Sequence, residues 1–123
     1  MKKIILISIF VLQLTLAFSQ RRGINYGLIS QNVATAVMNT WKDSFALDGK
    51  PAKWTYDMGV ILKGFEGLWL NTGDVKYYDY IQRQMDVFVQ NDGSIRTYRP
   101  DEYNIDHINN GKLLLLLYRV TLK

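Results

Sequence analysis

Asp106 lies beside His107, the only histidine of the sequence, within the run Tyr103-Asn104-Ile105-Asp106-His107-Ile108-Asn109-Asn110-Gly111. An acid at the start of an apolar helix, flanked by amides, can take part in proton-transfer chemistry. By residue type alone Asp106 reads first as the N-cap of that helix. His107, a lone histidine next to a cap, reads as a surface or supporting group rather than a ligand. With one histidine, no cysteine and dispersed acids there is no metal-ligand spacing, so neither a metal site nor a cofactor is expected.

The elements that must position Asp106 read as helices with short polar joints. Ser30 can cap a first helix running to about Trp41, with Val33, Val37 and Trp41 four apart on one face. Residues 45–53 form a loop by the turn chemistry of Asp48-Gly49-Lys50-Pro51. In the second helix Met58, Ile61, Leu62, Phe65, Leu68 and Trp69 recur at three and four, which gives one buried stripe. Asp57, at its start, reads as a cap. Gly73 suits a left-handed C-terminal turn, and Asp74 suits the cap of a third helix. That helix runs to about Gln90, with Tyr78, Ile81, Met85, Phe88 and Val89 inward. Asn91 to Ser94 is a tight turn, Ile95 to Tyr98 a short extended segment, and the fourth helix starts near Asp106 or Ile108.

Composition narrows the class. A 123-residue chain that is 48% hydrophobic and 21% charged is globular material for one modest domain. Lys2 and Lys3, the apolar run Ile4 to Leu16 and the small-x-small Ala17-Phe18-Ser19 read as a secretory signal over residues 1–19. The alternative, an uncleaved anchor, is disfavoured because the run is shorter than the ~20 residues a bilayer requires. No stable membrane insertion is therefore expected after cleavage, and a secreted or periplasmic location follows. Without Lys2 and Lys3 the mature chain carries 13 basic against 11 acidic residues, a net charge of about +2. That charge is too weak and scattered to argue for nucleic acid. Zero cysteines excludes a disulfide scaffold and a lipid-anchored cysteine, so stability must come from a packed core.

A weak internal repeat organises the helices. A shift of 49 residues lays Asp57 on Asp106, Lys63 on Lys112, Leu68 on Leu117 and Thr72 on Thr121. Each pair occupies the same place in a unit of polar loop, acid, apolar helix and Thr-containing turn. Such a period points to stacked helical hairpins, in a solenoid or a closed double ring.

Four segments then carry a family resemblance: Trp54-Thr55-Tyr56-Asp57-Met58-Gly59-Val60, Leu70-Asn71-Thr72-Gly73-Asp74-Val75-Lys76-Tyr77, Asp92-Gly93-Ser94-Ile95, and Tyr103-Asn104-Ile105-Asp106 with Gly111. The set resembles the N-terminal part of the unsaturated rhamnogalacturonyl hydrolases, glycoside hydrolase family 105, related to the unsaturated glucuronyl hydrolases of family 88. The resemblance implies an all-α fold in which residues 20–123 form part of an (α/α)6 barrel of helical hairpins. It implies as substrate an oligosaccharide ending in an unsaturated uronic acid, left by a polysaccharide lyase. By the same resemblance Asp106 matches the first of two active-site aspartates, which supports the reaction. The main acid/base aspartate belongs to a segment this sequence lacks. Trp54 and Tyr56 match the aromatic wall at the ring mouth, where a π-face stacks on a sugar and a phenol bonds a hydroxyl or carboxylate. A core aromatic at a loop-helix junction is the competing reading of each.

Six units of about 49 residues would make roughly 290, so fewer than half are expected here. The sequence thus admits two functions: an incomplete, inactive N-terminal piece of an exported uronyl hydrolase, or a sugar-binding or structural helical-hairpin remnant without turnover.

Overall fold

The computed structural model describes residues 24–46 and 49–122. The signal segment 1–19, the mature start near Gln20 and Asp48 of the first loop lie outside the described residues. Four α-helices follow one another: α1 (Tyr26–Thr40), α2 (Tyr56–Thr72), α3 (Val75–Asp86) and α4 (Gly111–Thr121). Two 3-10 turns, Pro100–Glu102 and Ile105–Ile108, precede α4. Among the described residues there is no strand, only an isolated antiparallel bridge between Val89 and Ile95.

The α2–α3 hairpin is the centre of the structure. Gly73 takes the left-handed conformation (φ 69°) and donates its N–H to the Trp69 carbonyl at 2.8 Å, closing α2 as its sequence position predicts. Asp74 then caps α3 by accepting from the Lys76 N–H at 3.1 Å. Its carboxylate also meets Lys76 Nζ at 2.7 Å, which lowers the Asp74 pKa and raises that of Lys76. Between the two helices Leu62, Tyr80, Ile81, Met85 and Phe88 are fully buried. The Phe65 ring lies 4.6 Å from that of Tyr80 and 6.0 Å from that of Tyr77. Rings at such separations add to the burial of their large apolar area.

Boundaries differ from the sequence reading where side-chain amides intervene. Helix α1 begins at Tyr26 rather than after Ser30, because Asn25 accepts the Leu28 N–H at 3.0 Å. The Ser30 hydroxyl instead donates to the Tyr26 carbonyl inside the helix. Val33, expected inward, is 58% exposed, and Ala34 is the residue of α1 that is buried. Helix α3 stops at Asp86, since the Phe88 and Val89 N–H groups both turn back to the Met85 carbonyl. Phe88 stays in the core while Val89 turns outward. Helix α4 starts at Gly111, later than expected, because Asn104 accepts the Asp106 N–H at 3.0 Å and winds a 3-10 turn there.

The repeat survives these shifts at its C-terminal end. Thr72 donates its hydroxyl to the Leu68 carbonyl at 2.7 Å, and Thr121 donates to the equivalent Leu117 carbonyl at 2.9 Å. The leucine run of α4 splits by face. Leu113 and Leu116 join the core, Leu114 and Leu117 are half-buried, and Leu115 is exposed.

Two packing features generate predictions. Leu28, Val33, Leu70, Leu115, Tyr118 and Leu122 leave apolar area open, so the chain is expected to self-associate and bind hydrophobic dye, with Leu115→Lys lowering both. A monomer with a sharp thermal transition and low dye binding contradicts this. The second concerns Tyr80, whose hydroxyl donates to the Trp41 carbonyl at 2.8 Å and fixes the end of α1 against α3. Burial raises its pKa from 10.0 to about 12, so the unfolded chain loses this proton first as pH rises. Its stabilising contribution is complete below pH 10 and disappears as pH climbs through about 12. The urea midpoint should fall across that interval, and Tyr80→Phe should shrink the fall; an equal fall in the variant contradicts the assignment.

Candidate functional site

Three segments meet at the N-terminal end of α2. The Trp54 backbone N–H donates to Thr97 Oγ1 at 2.8 Å, and the indole Nε1–H donates to the His107 carbonyl at 2.6 Å. The second bond joins residues 53 positions apart and fastens the turn bearing Asp106 beside the residues that open α2. The Trp54 ring is edge-on to Phe88, centroids 5.6 Å apart, and only 2% exposed. It therefore has no π-face open to a sugar. The expectation that Trp54 stacks on substrate is corrected: the core claims its ring and the His107 carbonyl its polar edge.

Tyr56 and Asp106 stand differently. Tyr56 is the first residue of α2 and is 49% exposed, so its phenol is free to meet a ligand. Asp106 is exposed in the Ile105–Ile108 turn, and its backbone N–H donates to Asn104 Oδ1. It does not cap α4. Next to it Tyr103 is 93% exposed in a left-handed conformation (φ 49°), with Ile105 and Ile108 also exposed. An exposed aspartate flanked by one exposed ring and two aliphatic groups is suited to hydrogen-bond sugar hydroxyls against apolar sugar faces.

His107 acts mainly through its main chain. Its ring is half-buried, edge-on to Tyr98, with Nδ1 unpartnered among the described residues and 4.0 Å from Glu102 Oε2. Arg99 contacts both Asp101 and Glu102 on the neighbouring turn. Asp57 lies exposed in the first turn of α2, where its charge complements the helix dipole.

Thr97 and Asn110 also build this site, and sequence reasoning did not single them out. Thr97 holds a positive φ of 66° that places its hydroxyl under the Trp54 N–H, a geometry no residue-type rule announces. Asn110 sits inside the quoted motif, yet only its burial reveals a role.

Among the described residues no group of three or more His, Cys, Asp or Glu is placed to hold a metal ion. No helix among them is long and apolar enough to cross a membrane. A cavity of 660 Å³ lies in an apolar groove between α1 and α2 and contains none of the site residues.

A family model for Glycosyl Hydrolase Family 88 matches residues 29–123, a span that includes the α2–α3 hairpin, the Asp106 turn and α4. The chain belongs to that family. A solved structure of a glycoside hydrolase from family 105 of C. acetobutylicum ATCC 824 is 36% identical, with a TM-score of 0.62 over 80% of this chain. The matched part is 25% of that protein, so the family 88 chain described here spans about a quarter of its neighbour's length. With that neighbour, the all-helical architecture is that of a partial helical-hairpin barrel.

The Trp54 contacts give a direct test. Trp54→Phe keeps a ring against Phe88 but strands the part-buried His107 carbonyl, and should cost about 1–2 kcal/mol of unfolding free energy in urea titrations. Trp54→Ala should cost about 3–5 kcal/mol. A neutral Trp54→Phe would show that the indole bond does not hold the turn.

Proposed function

We propose that this chain forms the Asp106 side of the active site of an exported unsaturated uronyl hydrolase. The observation that carries the reading is the exposed Asp106 on the Tyr-Asn-Ile-Asp turn, within the Family 88 match. The substrate class is the unsaturated uronic acid that lyases leave at the non-reducing end of pectin-type oligosaccharides. Its C4–C5 double bond is conjugated to the ring oxygen, which makes hydrolysis the hydration of a vinyl ether. An acid delivers a proton to C4 and water adds at C5. The hemiketal so formed opens and releases the aglycone sugar. Asp106 supports this by bonding ring hydroxyls, and Tyr56 offers a phenol to a hydroxyl or the uronate. On this reading the principal acid/base aspartate belongs to the part of the family 105 neighbour that the match does not cover, and Asp106 contributes the supporting half of the site. The signal over residues 1–19 directs the protein out of the cytoplasm, where lyase products of plant polysaccharides are met.

The test follows loss of ultraviolet absorbance by the unsaturated uronyl group in lyase digests. The chain alone should leave the absorbance unchanged. A chimera that joins residues 29–123 to the remaining hairpins of the family 105 neighbour should consume it, and Asp106→Asn should slow that chimera by roughly 10²–10⁴-fold. A folded chimera whose rate is indifferent to Asp106→Asn would remove Asp106 from the mechanism.

A further inference from the structure

Asn110 is fully buried between α2 and α4, although an asparagine at that place in the chain has every opportunity to face solvent. Its Nδ2 donates to the Thr55 carbonyl at 3.0 Å, across 55 residues of sequence. Its Oδ1 is buried without a hydrogen-bond partner among the described residues, an arrangement that costs free energy and persists only where something holds it. The Thr55 bond holds it, and Gly59 makes room for it. A Cβ on Gly59 would run into Asn110 Oδ1 and come within 2.6 Å of Asn109 Nδ2, so α2 accepts the asparagine only because that position has no side chain.

These contacts bracket the site. Asn110 binds the carbonyl of Thr55, the residue before Tyr56, while the His107 carbonyl binds the Trp54 indole. Both bonds leave from the segment that follows Asp106 and arrive on the two residues that precede Tyr56. We propose that Asn110, seated against Gly59, is a positioning residue that sets Asp106 relative to Tyr56. The proposal rests on the reading of these two as sugar-facing groups. Asn110 touches no substrate. It clamps the trailing end of the 3-10 turn to the leading end of α2, and the Trp54 bond closes the same clamp one turn away. Deletion of its amide should free the Asp106 turn while the α2–α3 core, built from Leu62, Ile81 and Met85, stays closed.

The experiment is amide and indole hydrogen exchange, with ¹⁵N relaxation, on dilute wild-type chain, Asn110→Ala, Gly59→Ala and the double variant. Loss of the Thr55 bond should make exchange at the Trp54 indole and at residues 105–108 roughly tenfold faster in Asn110→Ala, with exchange at Leu62 and Ile81 unchanged. Gly59→Ala separates positioning from ordinary stability. Helix propensity alone makes this change stabilising, whereas displacement of Asn110 loosens the Asp106 turn as Asn110→Ala does. In the double variant Gly59→Ala should loosen the turn less than it does alone, because Asn110 is gone and only the contact with Asn109 Nδ2 remains. The proposal is overturned by an unchanged turn in Asn110→Ala, or by a turn and core that loosen together in both variants. It is overturned equally by a Gly59→Ala chain that is tighter throughout. No substrate enters the measurement, so failure of the uronyl hydrolase reading in the absorbance assay and failure of this clamp are separate results.

Discussion

The bond from the Trp54 indole to the His107 carbonyl is the contact on which the site depends. Asp106 and Tyr56 lie in segments that have no reason to meet on sequence distance alone, and closing so long a loop costs chain entropy. A short bond from a buried donor, with a ring locked edge-on to Phe88, offsets that cost and leaves the turn few alternative places. The exposed 3-10 turn borrows its order from the core through one aromatic side chain. This is why Trp54 belongs among the groups that build the site and not among those that face a sugar.

The hairpin beneath that contact is built by ordinary means. Two apolar stripes pack, a left-handed glycine and a capping aspartate turn the chain, and Phe65 fills the interface against Tyr77 and Tyr80. The 49-residue repeat reuses the scheme, with Thr72 and Thr121 bonding equivalent leucine carbonyls. Its apolar faces are not all covered among the described residues. Leu115 and Tyr118 on α4, and Leu28 and Val33 on α1, point away from the core, and a barrel of hairpins offers such faces neighbours on both sides.

Much of this was legible in the sequence, because periodicity and turn chemistry act locally. The stripe of α2, the Gly73 and Asp74 junction and the Asp92-Gly93 turn follow from residue type at fixed spacing. The start of α4 was misread because Asn104 competes with Asp106 for the capping role, and residue preferences do not rank two good caps two positions apart. The orientation of Trp54 was misread for a different reason. An aromatic residue at a loop-helix junction fits either the core or a ligand wall, and only its partners, Phe88 and the His107 carbonyl, decide between them. Tyr56, two residues on, carries the same ambiguity and resolves outward. Asn110 escaped notice because its significance lies in the absent side chain of Gly59, a relation between distant positions.

The central claim is that the N-terminal end of α2, where Tyr56 lies beside the Asp106 turn, is the sugar-facing surface of this Family 88 chain. A titration of the ¹⁵N-labelled chain with an unsaturated uronyl disaccharide, followed by amide chemical shifts, tests it most directly. The account predicts shifts confined to residues 54–57 and 103–108, weakened by Asp106→Asn and by Tyr56→Phe. Shifts centred instead on the apolar groove between α1 and α2, or no shifts at any accessible concentration, would contradict it.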